Sequence, residues 1–155
     1  MVKMKLETDN EFSRGAIAGT VSATIICLFL EAMEKLGLTG FCWFFMAGHA
    51  VLEFKHGTLF NVFAFLVHLG VGAFWGVIIA FLYTKVFSGR YLISKGLLIG
   101  SSIFFFHIGL MAKALHYPAQ LREDPLTVFI IYLSYLIYGA LTSVILEKVP
   151  WEKTG

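Results

Sequence analysis

The segment Leu59–Tyr83, LFNVFAFLVHLGVGAFWGVIIAFLY, runs for 25 residues without one Asp, Glu, Lys or Arg. A helix rises ~1.5 Å per residue, so ~20 apolar residues already cross the ~30 Å of hydrocarbon in a bilayer. This segment is therefore expected to span a membrane. Working outward, three more apolar stretches begin at Gly15, Gly96 and Leu126 and pass the same test, which sets the expected spans at 15–36, 59–84, 96–115 and 126–147. The predicted fold is all-α: a polytopic membrane four-helix bundle forming a single integral membrane domain over 1–155.

Composition agrees. The 155 residues are 58% hydrophobic and 14% charged, with a mean hydropathy of +0.79, whereas a soluble domain carries roughly 25% charged residues. A water-soluble fold is excluded. The formal charge of +2 is too small, and the basic residues too scattered, for a nucleic-acid partner. The polar stretch Met1–Arg14 reads as a tail ahead of the first span rather than as the start of a cleaved signal peptide. Cys27 and Cys42 lack the spacing of a redox or zinc motif and read as free thiols.

Charge also suggests an orientation. Lys3, Lys5, Arg14, Lys85, Arg90, Lys95, Lys148 and Lys153 fall on one side of the membrane. The other side receives Lys35, Lys55, Lys113 and Arg122, mixed with Glu31, Glu34, Glu53, Glu123 and Asp124. By the positive-inside rule both termini are expected in the cytoplasm.

The halves of the chain echo each other. Gly15 and Gly19 stand 81 residues before Gly96 and Gly100, and Trp75-Gly76 and Lys85 stand 63 before Tyr138-Gly139 and Lys148. Two readings are open: a duplicated helical hairpin, its repeat axis along the membrane normal, or a chance match between glycine-rich apolar helices. Under either, Gly15, Gly19, Gly72, Gly76, Gly96, Gly100 and Gly139 are expected at helix contacts, because lipid supplies no hydrophobic drive and small residues let backbones approach.

The first half carries an insertion in its outer connection. Gly40–Phe54 is too apolar for a solvated loop and too short for a span, so it reads as an interfacial or re-entrant helix, packed as a lid or lining a path. It includes Trp43, His49 and Glu53, with His56 just beyond. The second outer connection ends in Asp124-Pro125, a helix N-cap followed by proline at the first helical position.

Polar groups in a bilayer are costly, so their placement is the best functional clue. Glu31, His68, His107 and Lys113 are all expected in the outer half, and a Glu31–Lys113 ion pair is one arrangement. Histidine ligates metals and titrates near neutrality, so this cluster could serve as a metal site or proton relay, and His68 with His107 could ligate a haem iron. The plainer reading makes them structural, each bonded to a neighbour. No cofactor is expected on that reading, and no residue pair has a specific metal-binding spacing. Ser101, Ser102 and Ser134 lack a nucleophile motif and are expected to bond backbone carbonyls or other helices, so no enzyme is expected.

The order of features resembles a family of four-span bacterial membrane proteins known as YqhR-like. The elements are Gly15-xxx-Gly19, the long connection ending in His56-Gly57 before Asn61, the basic turn Lys85–Lys95, Gly96-xxx-Gly100, and Ile137-Tyr138-Gly139. The resemblance implies a location in the bacterial cytoplasmic membrane and supplies no activity. Two functional classes follow: a non-enzymatic scaffold or accessory subunit contacting membrane lipids, a partner subunit or a second copy, and a small transporter or ion-, metal- or haem-binding protein.

Overall fold

The computed structural model describes residues 2–40, 48, 57–87, 91–114 and 123–148. These fold into α1 (Val2–Lys35), α2 (Thr58–Lys85), α3 (Leu92–Phe104), a π-helical segment (Phe105–Met111), one further α-turn α4 (Ala112–Ala114), and α5 (Pro125–Lys148). Four stretches are long and apolar enough to cross a membrane: Glu11–Lys35, Thr58–Lys85, Leu92–Met111 and Pro125–Lys148. The protein is an all-α integral membrane bundle, as expected.

Several boundaries differ from expectation. The stretch read as a tail is helical from Val2, because neither Gly nor Pro interrupts the chain before Gly15. The third span opens at Leu92, which places Lys95 inside the helix rather than in the basic connection. The expected Asp124 cap is present. Its carboxylate accepts the Thr127 N–H at 3.0 Å and contacts the Thr127 hydroxyl, and those bonds hold it below the usual carboxylate range. At the end of α1, Gly37 takes a left-handed φ of 71° while the Leu38 N–H bonds the Met33 carbonyl at 3.0 Å, a Schellman stop.

The pairing of helices follows the glycines. Gly15 and Gly19 lie on Gly76 and Gly72, so α1 and α2 touch backbone to backbone. A Cβ on Gly15 would sit 2.6 Å from the Val77 Cα, and one on Gly76 would strike the Gly15 carbonyl. In the second half Gly96 and Gly100 lie on Gly139 and Tyr135 in the same way. Between the halves α1 packs on α5, with Ala18, Ser22, Leu30, Thr142 and Ser143 almost fully buried.

Two charged levels bracket the hydrocarbon. At the end of the bundle near the chain termini, Lys85 meets Glu11 at 3.7 Å, and Arg14 donates to the Leu146 carbonyl at 2.9 Å. At the opposite end Lys35 meets Glu31 at 2.8 Å. Glu11 to Glu31 is 20 residues along one helix, or ~30 Å, one hydrocarbon thickness.

Candidate functional site

The third span contains the one departure from α geometry among the described membrane helices. From Phe105 to Met111 the chain is a π-helix, and the Ala112 N–H reaches back to the His107 carbonyl. The sequence gives a reason. Gly100, Phe104, Ile108 and Ala112 recur every four residues and are all buried. In an ordinary helix, at ~100° per residue, such a row drifts ~40° per step around the axis. The wider turn absorbs that drift and keeps Phe104, Ile108 and Ala112 on one core-facing side.

The same turn aims His107 between two other helices. Its Nε2 lies 3.1 Å from the Trp75 indole nitrogen on α2, and its Nδ1 lies 2.7 Å from the Tyr135 hydroxyl on α5. An indole N–H can only donate, so Nε2 is the acceptor and the neutral imidazole carries its proton on Nδ1, donating to Tyr135. Rings close the node. Trp75, Phe106 and Tyr135 meet His107 or one another edge-on, and Phe104 stands edge-on to Tyr132 and Tyr135 at 5.0 and 5.8 Å. Ser101 and the Tyr132 hydroxyl add a bond of 2.8 Å. Trp75 stands ten residues from Lys85 and Tyr135 thirteen from Lys148, roughly 15–20 Å along their helices and so near the middle of the membrane.

His68 belongs to a different contact. It is buried on α2, and its Nε2 donates to the Ala23 carbonyl on α1 at 3.1 Å. Nearby the Tyr138 hydroxyl of α5 donates to the Gly72 carbonyl at 2.6 Å. Closer to the chain termini, Tyr83 donates to the Leu92 carbonyl at 2.7 Å and stands 2.9 Å from the Ser143 hydroxyl. These tyrosines are linked across helices by bonds that the sequence reading missed; a hydroxyl on an otherwise apolar face is the signal that could have found them.

Among the described residues the expected outer cluster does not assemble. His68 and the Trp75 partner of His107 stand seven residues apart on α2, ~10 Å along its axis, and face different helices. His68 bonds beside Ala23, eight residues before Glu31 on α1, or ~12 Å along the axis. Glu31 pairs with Lys35 on its own helix, while the side chain of Lys113 lies outside the described residues. His68 and His107 do not face each other as a haem pair would: His68 bonds α1, whereas His107 bonds α2 and α5. Among the described residues no three His, Cys, Asp or Glu side chains come together to hold a metal.

The serines bond as expected. Ser102 and Ser134 donate to the Leu98 and Ile131 carbonyls at 3.0 and 2.7 Å. Trp43, His49, Glu53 and His56, with most of Gly40–Phe54, lie outside the described residues. Gly48 is described, and it sits against Phe60 and Ala64 of α2. No family model, curated protein or solved structure matches the chain.

Proposed function

We propose that this chain is a non-enzymatic membrane scaffold or accessory subunit. The observation that carries the proposal is how the intramembrane polar groups are used. His68, His107, Tyr138 and Tyr83 each spend their hydrogen bonds on a neighbouring helix rather than on a shared cavity. Such groups are expensive in lipid and mark pathways when they face water or one another. Here they lock the bundle. The glycines are spent too, because Gly15, Gly19, Gly72, Gly76, Gly96, Gly100 and Gly139 face one another inside the chain. Contact with a partner therefore falls to the exposed apolar surface, which includes Phe74, Phe81, Phe105 and Phe129.

The halves are read as a duplicated hairpin. Support comes from matching contacts at the offsets found in the sequence: Gly15 on Gly76 corresponds to Gly96 on Gly139, and Gly19 on Gly72 to Gly100 on Tyr135. Residence in a bacterial cytoplasmic membrane, which the resemblance to YqhR-like proteins implies, and an orientation with both termini inside belong to the same proposal. The distribution of Lys and Arg supports the orientation.

Affinity purification in mild detergent tests the scaffold reading. A membrane protein recovered in stoichiometric amount with the chain is the expected result. A chain that elutes alone and, reconstituted in vesicles, carries a solute or ion across them overturns it.

A further inference from the structure

A groove of about 370 Å³ runs between α1 and α2 at the end of the bundle away from the chain termini, within the ~300–1,000 Å³ range of ligand pockets. Its walls are apolar, including Leu28, Val62, Phe65 and Leu66, of which Leu28, Val62 and Leu66 are exposed on the lipid side. Thr24 adds no free donor to the wall because its hydroxyl bonds the Thr20 carbonyl at 2.9 Å. The groove ends at Glu31 and Asn61.

We propose that this groove holds one phospholipid with an ethanolamine head group, which goes beyond the scaffold reading and does not depend on it. The depth fits. Glu31 stands one hydrocarbon thickness from Glu11, so the polar end of the groove lies where head groups lie and the apolar end lies beside acyl chains. The charge fits a zwitterion. Lys35 at 2.8 Å from Glu31 offers a cation to the phosphate, and the Glu31 carboxylate and the Asn61 amide oxygen accept from the ammonium. The charged side chain in the groove wall is the Glu31 carboxylate, so a head group bringing an ammonium is favoured over one with only a phosphate. The length of Leu28, Val62 and Leu66 below that level gives one acyl chain a continuous apolar bed.

Native mass spectrometry of the full chain in mild detergent, with equal amounts of phosphatidylethanolamine and phosphatidylglycerol added, tests this. The expected spectrum shows one phosphatidylethanolamine retained per chain, preferred by roughly tenfold or more, the factor that loss of one charge-assisted hydrogen bond removes. Glu31→Gln abolishes the preference, and Val62→Trp, which fills the groove from its lipid-exposed side, lowers retention of both lipids. Circular dichroism and elution volume confirm that each variant is folded; if Val62→Trp is not, Glu31→Gln alone decides the matter. Equal retention of phosphatidylglycerol, no retained lipid, or a Glu31→Gln variant that behaves like the parent overturns the proposal.

Discussion

His107 shows what one polar residue does in the middle of a lipid-embedded bundle. One nitrogen accepts a hydrogen bond from Trp75 and the other donates one to Tyr135, so a single ring joins the second, third and fourth spans. Hydrogen bonds between membrane helices contribute ~0.6 kcal/mol on average and up to ~1.7, while an orphaned buried partner costs ~1–3. His107→Phe keeps the ring and removes the acceptor of the buried Trp75 indole N–H. It is expected to lower stability by about 1–3 kcal/mol in detergent unfolding followed by Trp fluorescence, and His107→Gln, whose amide can accept from Trp75 and donate to Tyr135, to recover part of that loss. An unchanged His107→Phe midpoint would show that the node is dispensable. The residue was visible in the sequence, but its partners were not. Trp75 stands 32 positions away and Tyr135 stands 28 away, and neither spacing carries a signal.

Among the elements, the glycines separate into two kinds. Gly76 and Gly139 press on the backbones of Gly15, Gly19, Gly96 and Gly100, whereas Gly70 and Gly109 have nothing within 4 Å of where a Cβ would lie. A methyl at the first kind must push two helices apart. Overpacking costs ~1–3 kcal/mol, and here backbone rather than a movable side chain blocks the way. Gly76→Ala and Gly139→Ala are expected to destabilise the bundle by that amount in the same assay. Gly70→Ala and Gly109→Ala are expected to be neutral or better, since Ala outranks Gly in a helix by ~1 kcal/mol. Equal losses at all four positions would break the argument. The expected contact glycines were legible because each stood at a four-residue spacing from another small residue. The π-helix was not, although the four-residue row from Gly100 to Ala112 carried its cause.

At the scale of the molecule, two glycine-joined hairpins are held together by packing of α1 on α5 and by polar links. Arg14 to the Leu146 carbonyl, Tyr138 to the Gly72 carbonyl, Tyr83 to the Leu92 carbonyl and the Trp75–His107 bond all cross between halves. Each half is thus complete as a hairpin and incomplete as a bundle. When the chain is cut between Phe87 and Tyr91 and the pieces are expressed together, the halves are expected to co-purify through a tag on one of them. Adding His107→Phe and Tyr138→Phe to the pair is expected to reduce recovery of the untagged half. Failure of the parent halves to associate would mean that the covalent connection, not the interface, holds the bundle together.

The sequence by itself determined the number of spans, their approximate ends, the Asp124 cap and the all-α class. Those follow from hydropathy, length and local hydrogen bonding, since a backbone in lipid must satisfy its own polar groups within each helix. Only the tertiary structure decided which polar groups meet. That depends on the rotation and axial register of every helix against its neighbours, and an error of a few residues in register moved His68 away from Glu31 and placed His107 between Trp75 and Tyr135.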